Sequence, residues 1–147
     1  MRLICYLRRD TVFIPTMATV DVGGYLDVDP VAVVPIADAE GLRRSFLEVA
    51  ARGNPPIESP TRANHPPPVV LKHAGVKTWS AFARGTRPWQ LEERDCRYRI
   101  VGLKDSPGGG WEEDPQQVVE FAPGTEVEVV IDRLIGILQA ASKKEPA

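Results

Sequence analysis

Five carboxylates fall in two short stretches, each beside an aromatic residue. Asp27 and Asp29 follow Tyr25, and Glu112, Glu113 and Asp114 follow Trp111. Paired carboxylates can divide acid and base roles in glycoside hydrolysis, but nothing around these residues suggests a sugar cleft. A second chemistry suits the same letters. If the two stretches lie together, the acids share an edge with Tyr25 and Trp111. Such a patch would mimic a phosphate backbone or cover the basic cleft of a nuclease. Ordinary solvated turns would carry the same residues.

Other reactive side chains do not compose a site. The two histidines are His65, in a proline-rich stretch, and His73, in an apolar one. Neither belongs to a cluster with metal-ligand spacing. His73 reads as a satisfied structural residue and His65 as an exposed loop residue. Ser45, Ser59, Ser80, Ser106 and Ser142 lack a nucleophile-elbow context. Gly108-Gly109-Gly110 precedes Trp111 and acids, whereas a phosphate cradle needs a following helix N-terminus and usually a lysine. The expectation is no catalytic residue, no metal, no cofactor and no small-molecule ligand. Cys5 and Cys96 have no CxxC partner and read as buried free thiols.

A basic and aromatic segment offers a rival. Arg84, Arg87, Arg94, Arg97, Arg99 and Lys104 interleave with Trp79, Phe82, Trp89 and Tyr98. Arginine with aromatics can bind phosphates and stack bases. Glu92, Glu93 and Asp95 interrupt the run, which favours a strand with a solvated basic face over a nucleic-acid surface. Charge is segregated along the chain. Residues 61–104 carry nine basic and three acidic side chains, and residues 105–147 carry three and nine. The two segments either face each other and cancel, or one steers a partner of opposite sign.

These residues need a scaffold, and a chain of 147 residues fits one domain. Its 43% apolar and 26% charged composition is that of a globular protein. No run approaches the roughly 18 apolar residues of a membrane span. Met1 to Arg9 has too short an apolar run for a signal peptide, so a cytoplasmic protein is expected.

Short apolar runs at Val12–Ile14 and Val31–Val34, bounded by Pro, Gly and Asp, predict strands. Gly23-Gly24 makes a turn between Thr19–Val22 and Tyr25–Val28. Leu42, Phe46, Val49 and Ala50 then mark one face of a helix over 39–52, with Asp38 as N-cap and Gly53 just past its end. Residues 54–68 hold six prolines and predict a stiff extended connection, either a functional loop or a strap packed across the fold. Val69-Val70-Leu71 reads as strand-like, and Trp79 and Phe82 suit a short helix. Cys96–Leu103 alternates as a strand, with a further strand at Gln117–Phe121. Thr125-x-x-Glu128 reads as a capping box before a last helix striped with Val129, Leu134, Ile137 and Leu138. Residues 142–147 are expected to fray.

An internal echo links the two ends. Gly23-Gly24-Tyr25 … Asp29-Pro30-x-x-Val33-Val34 precedes the first helix, and Gly109-Gly110-Trp111 … Asp114-Pro115-x-x-Val118-Val119 precedes the last. Coincidence or shared packing geometry would produce it. So would two strand-strand-helix halves building one sheet with helices on one face. The predicted class is α+β: a mostly antiparallel sheet, two main helices packed on one face, and the proline-rich connection.

The stretches Val12-Phe13-Ile14-Pro15, Gly24-Tyr25-x-Asp27 and Pro30-Val31-x-Val33-Val34-Pro35 carry a resemblance. With Arg52-Gly53-Asn54-Pro55 and Leu71-Lys72-x-Ala74-Gly75-Val76-Lys77-Thr78-Trp79, the chain resembles small bacterial immunity proteins. These accompany the toxins of contact-dependent growth inhibition and related polymorphic toxin systems. The resemblance spans roughly the first eighty residues. It implies a non-enzymatic cytoplasmic protein that binds a cognate toxin C-terminal domain, often a nuclease, and neutralises it. Such families differ in contact surface, so no binding residue is carried over. Tight inhibition uses aromatic anchors within a charged rim. That singles out Tyr25, Asp27, Asp29, Trp111, Glu112, Glu113 and Asp114 as the expected toxin-binding surface. Two rivals remain: a nucleic-acid module on the Arg97/Arg99 face, and a small enzyme assembled from scattered acids and His73.

Overall fold

Alternation along Leu3, Cys5 and Leu7 and along Val12 and Ile14 sends one set of side chains to one side of a sheet. The intervening Ile4, Tyr6 and Phe13 go to the other. The computed structural model describes residues 1–61, 63 and 65–144 and is α+β. Its strands are β1 (Arg2–Arg8), β2 (Thr11–Val20), β3 (Tyr25–Pro35), β4 (Pro56–Ile57), β5 (Thr86–Arg94), β6 (Arg97–Asp105) and β7 (Trp111–Glu120). Its helices are α1 (Ala39–Arg52), α2 (Val70–Ala74), α3 (Trp79–Ala83) and α4 (Val127–Lys144). The sheet order is β3-β2-β1-β5-β6-β7, antiparallel throughout, with β4 pairing in parallel to the end of β2.

The sheet buries both faces. On one, Leu42, Phe46 and Val49 of α1 and Ile131, Leu134 and Leu138 of α4 close over Leu3, Cys5, Ile14, Leu91 and Ile100. The two main helices thus share one face, as Leu134 and Leu138 predict, but Val129 of the expected stripe is 54% exposed and Val130 and Ile131 are buried instead. On the other, the short α2 and α3 set Val70, Leu71 and Phe82 against Ile4, Tyr6, Phe13 and Met17.

The echo is structural. β1-β2-β3-α1 and β5-β6-β7-α4 are two halves of the same build, meeting where β1 pairs with β5. Each half has three strands before its helix, one more than the echo alone implied. Both glycine pairs turn alike. Val20 N–H donates to Gly24 O and Gly23 N–H to Val20 O, while Ser106 N–H donates to Gly110 O and Gly109 N–H to Ser106 O. Positive φ at Gly23, Gly24, Gly109 and Gly110 is what requires glycine there. Both Asp-Pro pairs also lie where an edge strand gains residues over its partner. The register slips at Pro15/Thr16 opposite Asp29-Pro30, and at Val101/Leu103 opposite Asp114-Pro115. At the second slip Gln117 packs so close to Gly102 that a Cβ there would meet it at 2.7 Å.

Several local expectations change. Val69-Val70-Leu71 is not a strand, since Val70 and Leu71 open α2 and point into the second apolar cluster. β5 was not anticipated, because Pro88 and the charges of Glu92–Arg94 mask a strand whose Trp89 and Leu91 are buried. Cys96 is exposed in the β5–β6 turn at φ 62°, so only Cys5 is a buried thiol. Thr125 does not cap α4; its hydroxyl donates to Ala122 O and the helix starts at Val127. Asp38 does cap α1, accepting from Gly41 N–H at 2.9 Å. Residues 142–144 belong to α4, and 145–147 lie outside the described residues.

Candidate functional site

Tyr6 organises the second sheet face. It lies at the centre of β1, 3% exposed, inside an apolar run. A buried tyrosine hydroxyl needs a partner, and it donates to Asp27 Oδ2 at 2.5 Å. The Tyr6 ring is 5.4 Å from Phe82, 5.9 Å from Trp111 and 6.3 Å from Trp79, centroid to centroid. Trp79 and Trp111 meet edge to face at 5.4 Å. Burial pushes the Asp27 carboxyl above its ordinary range, against the opposing pull of the Tyr6 hydrogen bond. Burial, reinforced by the neighbouring carboxylate, also pushes the Tyr6 phenol well up, so the proton of this pair stays on the tyrosine.

Asp27 forms one wall of a pocket of about 260 Å³, with Tyr25, Leu26, His65, Pro66, Pro67, Pro68 and Trp79 as the remainder. The proline-rich connection reaches it by a defined route. Asn54 wedges between β1 and β2: its Oδ1 accepts from Arg2 N–H at 2.9 Å, and its Nδ2 donates to Arg2 O at 2.6 Å and Met17 O at 2.7 Å. Pro56–Ile57 then extends the sheet beside Thr19 and Val20. Ser59 donates through N–H and hydroxyl to Asp21 Oδ1, which holds that carboxyl below its usual range. The segment is therefore a strap, and its second half is also a pocket wall. Arg62 and Asn64, which belong to it, lie outside the described residues.

The seven residues expected to form one acidic-aromatic edge are divided. β3 and β7 are the opposite ends of the sheet order, so the two acidic stretches do not share an edge. Trp111 still joins the Asp27 side, because Tyr6 on the central strand touches both. Tyr25 is 44% exposed at the tip of the β2–β3 hairpin, with the Arg2 guanidinium 4.9 Å from its ring centroid. Asp29 turns to α2, where Lys72 Nζ at 2.6 Å and His73 Nε2 at 3.0 Å hold its carboxyl below the usual range. Glu112 is exposed on β7. Glu113 is bound bidentately by Arg99, at 2.6 and 3.1 Å, which lowers its carboxyl pKa. Asp114 folds back on its own strand, accepting from Gln116 N–H and Gln117 Nε2.

On β6 the same network takes up Arg99, while Arg97 is exposed. Arg99 also donates to Glu92 at 2.7 Å, so its guanidinium is shared between two carboxylates. Arg94 adds a looser pair with Glu92 at 3.9 Å. His73 is tied to Asp29 and does not line the Asp27 pocket. Among the described residues no group of three or more His, Cys, Asp and Glu is placed to hold a metal ion. No described helix is long and apolar enough to cross a membrane.

Tyr6, Trp79 and the Pro66–Pro68 wall were absent from the expected surface. Tyr6 had left a signal, a polar-tipped ring inside Leu3-Ile4-Cys5-Tyr6-Leu7 that must find a partner. Trp79 had none beyond helical spacing, since its 37% exposure depends on where α3 lands.

No protein-family model matches the chain, and no curated protein matches it in sequence. Among solved structures it is similar to a protein of unknown function, NMB0488 from Neisseria meningitidis. The TM-score is 0.64 at 12% identity, covering 95% of this chain and 93% of that one. At that identity the likeness shows the fold alone.

Proposed function

We propose that this chain is an immunity-type protein that binds a cognate toxin domain and neutralises it by protein–protein contact. One observation carries the reading beyond the sequence resemblance. Tyr25 and Trp79 stand exposed beside the half-buried carboxylate of Asp27, while nearby Asp29 is paired with Lys72 and His73. Exposed aromatics supply the anchors of tight interfaces, and a half-buried acid beside them offers a charge for a basic partner group to pair with. The contact surface is narrower than the seven residues first singled out: Tyr25, Asp27, Trp79 and, beneath them, Trp111. Asp29, Glu113 and Asp114 act in the fold, and exposed Glu112 stands apart on β7. The partner is a basic-surfaced toxin domain, and the protein itself is not an enzyme.

The test is co-expression with the product of the adjacent upstream gene. A one-to-one complex that abolishes the toxicity of that product's C-terminal domain supports the reading. Growth arrest despite co-expression, with no complex on gel filtration, overturns it.

A further inference from the structure

The pocket behind Tyr25 is chemically asymmetric. Leu26, Pro66, Pro67, Pro68 and the rings of Tyr25 and Trp79 make apolar walls, and Asp27 is its one carboxylate. Asp27 Oδ2 is occupied by the Tyr6 hydroxyl. Oδ1 has no hydrogen-bond partner among the described residues, and Asp27 lines the pocket. Among the described residues no lysine or arginine lines the pocket, and the basic groups that touch Tyr25 or Asp29 have partners of their own, although Arg2 Nε is left unpaired. Arg2 stacks on Tyr25 and donates to Gln90, and Lys72 and His73 are held by Asp29. His65 stands at the rim with its Nδ1 3.0 Å from Pro66 O.

A desolvated acid acceptor ringed by aromatic faces matches a cation on an aliphatic stem. The head would pair with the carboxylate and lie over electron-rich rings, while the methylenes pack on proline. The volume, about 260 Å³, falls below the roughly 300–1,000 Å³ of drug-sized sites and suits one side chain. We propose that this pocket receives a single lysine or arginine side chain of the partner protein, with Asp27 as its counter-ion and Tyr25 and Trp79 as its walls. That the side chain belongs to a toxin domain rests on the function proposed above; the pocket's preference for a cation does not. The raised carboxyl of Asp27 agrees, because an arriving cation supplies the missing counter-charge.

The experiment titrates the protein with N-acetyl-lysine methylamide, N-acetyl-arginine methylamide and the neutral N-acetyl-norleucine methylamide. The readout is the indole N–H resonance of Trp79, assigned with Trp79→Phe. Saturable millimolar shifts are expected for the two cations and not for norleucine. Asp27→Asn, which keeps an acceptor for Tyr6, should weaken them at least tenfold, and Asp29→Asn should leave them unchanged. Trp79→Ala, read on Tyr25 resonances, should weaken them as well. Equal binding of norleucine, cation binding unaltered by Asp27→Asn, or no saturable shift would each overturn the assignment. A toxin complex whose affinity survives Asp27→Asn would overturn it too and leave the proposed function standing. Cation binding without any toxin complex supports the pocket chemistry and removes the proposed function.

Discussion

The Tyr6 hydroxyl and the Asp27 carboxylate form a 2.5 Å hydrogen bond between the central strand β1 and the edge strand β3, beneath the rings of Trp79 and Trp111. The sheet therefore holds a partly desolvated acid with one oxygen satisfied and none of its charge compensated by a base. That is an expensive arrangement for stability alone, and it makes the pair the first place to probe.

Asp27→Asn should stabilise the protein at neutral pH. The folded-state pKa of Asp27 is raised above its ordinary 3.8, so the folded form holds a proton that the unfolded form has lost. Stability then falls as pH rises through that window, and the penalty is complete above the folded pKa. The variant keeps an oxygen for Tyr6 and carries no charge. Its gain over the natural sequence should be absent near pH 3, grow with pH, and level off. Urea unfolding at several pH values measures this; a pH-independent difference would mean that desolvation of Asp27 is not the cause.

Asn54 should matter more than a loop residue usually does. Its carboxamide replaces a stretch of ladder between Arg2 and Met17 with three hydrogen bonds to backbone. Asn54→Ala should cost about 2–3 kcal/mol, at roughly 1 kcal/mol per bond lost. Asn54→Asp should be no better, because it sets a carboxylate against two carbonyl oxygens. Thermal unfolding of the pair decides it, and a mild Asp variant would count against the wedge.

The Arg99 network should be unequal in its parts. Glu113 is half exposed, so Glu113→Gln should cost under about 1 kcal/mol and the loss should shrink in salt. Its lowered pKa gives stability above the unfolded value that is lost as pH falls. Glu92 is 9% exposed, and Arg99→Met leaves its carboxylate only the looser pair with Arg94, costing about 1–3 kcal/mol. Denaturation midpoints in the order natural, Glu113→Gln, Arg99→Met are the expected result.

The two cysteines should separate completely under alkylation. Cys96 is exposed in the β5–β6 turn, whereas Cys5 is 0% exposed with its thiol pushed up to about 12 by burial. Iodoacetamide should add one label to the native protein and a second only after denaturation. Two native labels would place Cys5 outside the core.

Much of the scaffold was legible because its signals are local. The helix over 39–52 announces itself by one apolar face, an aspartate cap and a glycine stop, each acting within a few residues. The glycine turns and the Asp-Pro repeats were visible too, but whether their recurrence was coincidence or two halves of one sheet was decided by the strand pairing. Val69-Val70-Leu71 misled because three apolar residues suit a strand or a helix equally, and only the partner surface chooses. β5 hid because Glu92 and Arg99, which look solvated in sequence, neutralise one another across neighbouring strands.

By itself the sequence determined the α+β class, the two main helices on one face and the duplicated turn chemistry, since these follow from backbone preference and side-chain period. Which side chains meet was decided only by the tertiary structure. Sheet order sent the two acidic stretches to opposite edges, and Tyr6 reunited Asp27 with Trp111 across the face. Strand pairing turned Arg99 inward to two glutamates, and α3 brought Trp79 beside a carboxylate about fifty residues earlier in the chain. Contacts at such separation depend on pairing and packing between distant segments, which no local period encodes.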